Sequence, residues 1–203
     1  METHKVVDNT NVIFFKAWDI EHGPYVEVGN NVWSTITNLL SKGEKNEAIG
    51  LMRYYMEEFF ANICAKYKLK VPYSQTARWT LEDVISPAHS FYIKSFKKSL
   101  ESVQFYKKDD SKIKAICQNF SKAYNDLQIE RWAINPNTHF TTWAQNFSVE
   151  ELKTVSKHVK TYCSLYECPS CGSLIIINTS INGDPQSICC NCGDYAFSCI
   201  KSK

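Results

Sequence analysis

The sequence has no long apolar run and almost no cysteine in its first four fifths. No stretch approaches the roughly 20 consecutive apolar residues of a membrane-spanning helix. The segment Met1–Asp8 has neither an apolar core nor a small-residue cleavage site of a secretory signal. Only Cys64 and Cys117 lie within the first 162 residues, so disulfides cannot staple the whole fold. We therefore expect a cytoplasmic protein, without membrane segments, in a reducing compartment.

Several catalytic motifs are also absent. The chain has no G-x-x-x-x-G-K-[ST], G-x-G-x-x-G, H-E-x-x-H or G-x-S-x-G pattern, which excludes the common nucleotide-hydrolysing and hydrolase cores from this chain. The chain also lacks a large excess of charge of one sign, because its 23 basic and 21 acidic residues leave a formal net charge of +2. With 44% hydrophobic residues, the 203-residue chain is long enough to bury a core, and a disordered protein is disfavoured.

Residues 1–163 predict an α-helical domain with a short extended segment at its start. The extended stretch runs from Val12 to Trp18 and is closed by a turn at His22. Apolar residues then recur at three- and four-residue spacing, as on one face of a helix. This pattern predicts helices over about 31–40, 44–67, 111–132 and 148–162. Between Thr80 and Leu100 we expect a short turn before Pro87 and a helix after it, because proline disfavours a helix interior.

Seven of the nine cysteines lie in the last 41 residues, so we expect them to belong to a local site. Two C-x-x-C-G turns are separated by 17 residues, a spacing typical of a four-cysteine zinc site. We predict a β zinc ribbon over residues 164–203 with the ligands Cys168, Cys171, Cys189 and Cys192. Four cysteine ligands leave no position for water, so the Zn²⁺ is expected to be structural. Iron in the same geometry and metal-free buried thiols are the alternatives, and Cys190, Cys163 and Cys199 are interpreted as small apolar fillers.

A polar segment spans the end of the predicted helix, near Trp132, and the turn that follows it. It carries Arg131, Asn135 and His139, with Pro136 breaking the helix. An arginine that stabilises a phosphate and a histidine that moves a proton would suffice for metal-independent RNA cleavage. The other interpretation is that Asn and His only satisfy backbone groups at helix ends.

Short motifs along the chain resemble the C-terminal helical tail of bacterial ATPases related to the structural-maintenance-of-chromosomes (SMC) and RecF groups. The resemblance lies in the runs Gly50–Tyr73, Arg78–Asp83, Ile134–His139 and Val149–Leu152 and in the first C-x-x-C turn. It implies a place in antiphage defence and an ATPase of this kind as partner. The ATPase core is absent from this chain, so no ATPase activity is implied.

The helical body with its polar turn also resembles the HEPN superfamily of helical domains, which often act as RNases in defence and toxin systems. That resemblance implies a HEPN-like bundle in which Arg131 binds phosphate, His139 acts as acid or base, and two protomers form the cleft. Seven residues separate Arg131 from His139, which is wider than the usual motif.

Two functions follow as hypotheses. The first is an accessory binding subunit of an antiphage system that contacts nucleic acid or an SMC-like ATPase. The second is a metal-independent endoribonuclease that uses Arg131 and His139. Four thiolates and one Zn²⁺ add −2 to the formal +2, leaving a net charge near zero. Any affinity for nucleic acid must therefore come from local placement of lysines.

Overall fold

The computed structural model describes residues 13–19, 23–28, 32–72, 80–134 and 144–201, with backbone only for the two N-terminal strands, 128–134 and 144. The described strands are β1 (Ile13–Asp19), β2 (Gly23–Val28), β3 (Ile176–Thr179), β4 (Pro185–Cys189) and β5 (Ala196–Ser198). The described helices are α1 (Val32–Ser41), α2 (Lys45–Lys66), α3 (Leu81–Phe105), α4 (Ser111–Ile134) and α5 (Val149–Ser164), with a 3₁₀ turn at Ala144–Asn146. The predicted class, a mainly α bundle followed by a small C-terminal sheet, is confirmed.

The strands form two separate antiparallel sheets. β1, which corresponds to the predicted extended segment, pairs with β2, a strand that was not predicted. β3, β4 and β5 follow one another in a three-stranded sheet. The register of the C-terminal sheet pairs Ile177 with Ile188 and Cys189 with both Ile176 and Ala196. None of the helices in the described ranges is long and apolar enough to span a bilayer.

Helix α3 differs from its prediction. It runs without interruption from Leu81 to Phe105 with Pro87 inside it, so the expected turn before Pro87 is wrong. Burial outweighs the cost of proline here, because Val84, Ile85 and Ala88 around it are buried in the core. The S–H of Cys64 donates a hydrogen bond to the Val84 carbonyl at 3.3 Å. This carbonyl lies near the proline and thus has a hydrogen-bond partner from outside the helix.

Two helices begin with reciprocal capping boxes. The Ser148 hydroxyl accepts from the Glu151 amide at 3.1 Å, and the Glu151 carboxylate accepts from the Ser148 amide at 2.7 Å. Thr80 and Asp83 make the same pair of bonds at the start of α3. Each cap satisfies amides that a helix start leaves without partners and contributes about 1 kcal/mol. The predicted start of the last helix at Ser148 is thereby confirmed.

Aromatic rings fill the centre of the bundle. Phe120 of α4 lies 5.1 Å from Tyr166 and 5.2 Å from Phe96 between ring centroids, and all three rings are fully buried. His89 stacks on Tyr124 at 3.8 Å, and its Nδ1 lies 3.2 Å from the hydroxyl of a buried tyrosine of α5. Burial, aided by the charge of Lys97, lowers the pKa of His89 to about 4, so its ring is neutral at pH 7.

The C-terminal sheet packs directly on α3 through a row of buried serines. Ser99 donates to the carbonyl of Ser198 at 3.1 Å, and Ser102 donates to that of Ile200 at 2.8 Å. The thiol of Cys199 donates to the carbonyl of the third serine, Ser95. Because β5 lies at the edge of the sheet, no further described strand pairs with its outer side, and hydrogen bonds with α3 are made there instead. The sheet and the helices share one hydrophobic core, while the division into domains at residues 163 and 164 stays a prediction.

Candidate metal centre

The first cysteine turn follows α5 after a short connection. Its backbone closes on itself, because the Cys168 amide donates to the Ser173 carbonyl at 2.8 Å and the Gly172 amide donates to the Cys168 carbonyl at 2.7 Å. Gly172 has a φ of 68°, in the left-handed region that glycine adopts without steric cost. Pro169 and Ser170 form the tip of this turn. The thiols of Cys168 and Cys171 thus project from one tight loop.

The second cysteine turn lies between β4 and β5. The Cys190 amide donates to the Tyr195 carbonyl at 3.2 Å, and the Tyr195 amide donates to the Cys190 sulfur at the same distance. Gly193 closes the loop with a φ of 82°, and its backbone amide donates a hydrogen bond to the Cys190 carbonyl. An amide that donates to a cysteine sulfur stabilises the thiolate form, which is the form that binds a metal.

The two turns bring four sulfurs together. Cys168, Cys171, Cys190 and Cys192 have sulfurs that all lie within 4.8 Å of one another. The Sγ atoms of Cys168 and Cys192 are 3.7 Å apart, and those of Cys190 and Cys192 are 3.4 Å apart. A tetrahedron with metal–sulfur distances of about 2.3 Å has edges of about 3.8 Å. The cluster therefore has the size and the donor set to hold one metal ion.

Cys190, and not Cys189, belongs to this cluster, so the predicted ligand set needs a correction at one position. Cys189 is the last residue of β4, and side chains alternate between the two faces of a strand. Its sulfur accepts from the Asn178 amide at 3.6 Å, and that amide also bonds Ser187 at 3.0 Å. Asn178, Ser187 and Cys189 therefore share the outer face of the sheet. The next residue, Cys190, which was interpreted as an apolar filler, has its sulfur with those of the first turn.

Polar side chains tie the two turns to each other. Ser170 at the tip of the first turn donates to the Asp194 carboxylate at 3.0 Å. Ser173 lies 3.1 Å from the Cys171 sulfur and accepts from the Asn191 amide at 3.3 Å. Such bonds around a metal site orient its ligands. The two turns are thus positioned relative to each other by bonds that do not involve the sulfurs.

Helix α4 holds the second turn from outside. The Lys112 ammonium pairs with the Asp194 carboxylate at 2.6 Å and donates to the Asp194 carbonyl at 2.7 Å. It also lies over the Tyr195 ring at 5.4 Å from the centroid, a cation–π geometry. Hydrogen bonds from Lys112 and Ser170 lower the pKa of Asp194, so its carboxylate stays charged at neutral pH. The position of the metal centre therefore depends on the helical bundle.

The thiols of the cluster have unequal proton affinities. Hydrogen bonds from the hydroxyl and amide of Ser173 lower the pKa of Cys171 to about 6. A hydrogen bond with the backbone of Asp194 lowers the pKa of Cys192. Hydrogen bonds with the thiols of Cys190 and Cys171 have a larger, opposite effect and raise that pKa to about 12. Negative charge is thus concentrated on part of the cluster. A cation that binds all four sulfurs must displace a proton from Cys192.

Two cysteines outside the cluster, Cys163 and Cys199, are inert fillers of the core. Cys163 is buried, and burial raises the pKa of its thiol far above the usual range. Cys199 is also buried, and burial raises its pKa to about 11. Thiols of this kind carry little thiolate at neutral pH and are poor nucleophiles. The interpretation of these two cysteines as small apolar residues is confirmed.

The structure describes no side chain of the three residues predicted to form the polar turn. Arg131 lies in the last turns of α4, where only the backbone is described, and Asn135 and His139 lie outside the described residues. Their role in RNA cleavage stays a prediction.

No family model, no curated protein and no solved structure matches this chain. The resemblances to ATPase tails and to the HEPN superfamily therefore stay predictions. What can be assigned from the described residues is a helical bundle whose C-terminal sheet carries a four-cysteine cluster able to hold a metal ion.

Proposed function

We propose that this protein is a zinc-bearing helical binding subunit of a cytoplasmic bacterial antiphage system. It contacts nucleic acid or an ATPase related to the SMC and RecF groups, and it carries no catalysis at its metal. The observation that supports a binding role most is the closed set of four sulfurs, Cys168, Cys171, Cys190 and Cys192. Catalytic zinc sites keep one position for water, and a four-thiolate site has none.

Zinc is the metal that suits this cluster best. Thiolates in a tetrahedral set select zinc or iron, and the reducing cytoplasm keeps such thiols free. When bound, zinc supplies a crosslink between two loops. The protein's own residues supply the rest, because Ser170, Ser173 and Lys112 hold the two turns in place. The metal thus stabilises a small sheet whose own apolar residues form only part of a core.

The antiphage role and the ATPase partner rest on the resemblance of short motifs along the chain. The test is to co-express the full chain with the products of its neighbouring genes, any SMC-like ATPase among them, and to measure co-elution on gel filtration. Binding of labelled DNA and RNA by the metal-loaded chain is measured in parallel. We expect at least one of these ligands to bind. The proposal fails if the metal-loaded protein binds neither the ATPase nor nucleic acid.

Metal affinity is expected to fall as the pH falls. Protons compete with the metal for the thiolates, and Cys192, whose pKa is raised to about 12, carries a proton at neutral pH in the metal-free protein. Binding therefore releases at least this proton, and an equilibrium that releases one proton shifts about tenfold per pH unit. We expect the zinc affinity to decrease at least about tenfold for each unit from pH 8 to pH 6. Competition with a chromophoric chelator of known pH dependence measures it, and a pH-independent affinity would contradict thiolate ligation.

A further inference from the structure

An open groove of about 670 Å³ lies between α1 and α5, away from the metal centre. On the α1 side it is lined by the polar residues Ser34, Thr37, Asn38 and Ser41. These are spaced three and four residues apart, so they lie along one face of the helix. Helix α1 contains no charged residue at all. One wall of the groove is therefore uncharged, with Trp33 and Leu40 beside the polar side chains. The hydroxyls of Thr37 and Ser41 donate to carbonyls of their own helix at 2.8 Å and 2.7 Å.

The opposite wall is basic. Lys153, Ser156, Lys157 and Lys160 of α5 line it at the same three- and four-residue spacing. Among the side chains that the structure describes, no acidic one lines the groove. The three ammonium groups are attached over about 10 Å of the helix axis, since each residue rises about 1.5 Å. The groove thus places a row of cations opposite an uncharged wall of polar and apolar side chains.

Two of these lysines have no ion pair with any side chain that the structure describes. Lys153 pairs with Glu150 on its own helix at 2.7 Å, and that carboxylate is 80% exposed, so the pair is weak and easily exchanged. For Lys157 and Lys160 no acidic partner is found in the part of the chain that the structure describes, and both are exposed. The described side chains thus offer the two lysines no anion, and a ligand would have to supply it.

Packing of the two helices does not account for these rows. Ile36 and Leu40 of α1 and Leu152, Val155 and Val159 of α5 are buried and attach the helices to the core. The polar rows occupy other faces of the same helices. Removing the lysine charges should therefore leave the fold intact.

We propose that this groove binds the phosphodiester backbone of single-stranded nucleic acid. Lys, Ser, Thr and Asn side chains are the groups that contact phosphates in protein–nucleic acid complexes, and all of them line this groove. An acidic peptide would also pair with the lysines, and it is therefore one of the outcomes that the test distinguishes. The inference rests on the nucleic-acid contact within the proposed function and assigns it to a surface. It also fits a protein whose formal net charge is only +2, in which local lysines must provide the attraction.

The test compares two double variants of the full, metal-loaded chain. Lys157→Gln/Lys160→Gln removes the unpaired charges of the groove. Lys94→Gln/Lys97→Gln is the matched control, because these lysines have the same spacing on α3, are exposed, and have no ion pair among the described side chains. Binding is measured by fluorescence anisotropy with labelled single-stranded DNA and RNA oligomers, which distinguishes the two sources of phosphate.

We expect the groove variant to bind roughly tenfold more weakly, whereas the control stays within about twofold. The slope of log K against log salt should decrease by about 1.4 for the groove variant, since each single-strand phosphate contact contributes about 0.7. Replacing the same two lysines by arginine should preserve binding, because the charge is kept.

Three outcomes would overturn the groove assignment. One is equal weakening by the two double variants. Another is lysine-dependent binding of a poly-glutamate peptide by a protein that binds no oligomer, which would make the groove a peptide site. The third is absence of nucleic-acid binding by the unmodified protein. If the ATPase still co-elutes in that case, the proposed function survives and only the groove is wrong.

Discussion

Replacing Cys190 by serine should remove the bound metal, whereas replacing Cys189 should not. Cys190 has its sulfur 3.4 Å from that of Cys192, and the amide of Tyr195 donates to it. The serine hydroxyl stays protonated at neutral pH and is a poor zinc ligand, so three thiolates remain where four are needed. Because apparent zinc-binding free energies in small cysteine sites reach about 10 to 16 kcal/mol, loss of the metal should unfold the three-stranded sheet.

Cys189→Ser is the matched control, since it makes the same change one residue away. Its sulfur contacts Asn178 on the outer face of the sheet, where a hydroxyl can take the same hydrogen bond. Metal content by mass spectrometry should be about one ion per chain for this variant and near zero for Cys190→Ser. The reverse result would show that the C-x-x-C pair of Cys189 and Cys192 forms the site, and would contradict the geometry of the second turn.

The sequence predicted the four-cysteine cluster to within one residue, and strand geometry explains the difference. Two C-x-x-C-G patterns correctly indicated two thiol-bearing turns, because the pattern encodes a local loop that needs little from the rest of the fold. Which of two adjacent cysteines belongs to the second turn depends on where β4 ends. That end is determined by the pairing of Cys189 with Ile176 and Ala196, which is a long-range property. That Asn178 lies beside Cys189 on the outer face of the sheet could not be identified without the register of β3 and β4.

The same distinction between local and long-range signals runs through the helices. Capping residues such as Ser148 and the apolar spacing of α5 were sufficient to place that helix, because both act within a few residues. Pro87 misled the prediction, since the burial of its neighbours depends on helices distant in the sequence. The serines of α3 gave no signal of their own. Their role became visible only where β5 lies against them and accepts their hydrogen bonds.

Phe120→Ala should destabilise the protein more than any change on its surface. The ring is fully buried and lies between α3 and the connection to the first cysteine turn, 5.2 Å from Phe96 and 5.1 Å from Tyr166. Deleting a buried phenylalanine removes its transfer free energy and leaves a cavity, at a cost of about 3 to 5 kcal/mol. Domains of this size are stable by about 5 to 15 kcal/mol, so the variant loses a large share of its free energy of unfolding.

Phe105→Ala makes the same substitution at the end of α3, where the ring is 57% exposed, and should change the free energy of unfolding by less than about 0.5 kcal/mol. Urea unfolding followed by far-ultraviolet circular dichroism compares the two variants. Because Tyr166 lies two residues before Cys168, the Phe120 cavity should also weaken metal retention, which the Phe105 variant should leave unchanged. A loss below about 1 kcal/mol for Phe120→Ala would mean that the aromatic cluster does not hold the sheet to the bundle. In that case the metal centre would owe its position to the hydrogen bonds of α3 and to Lys112.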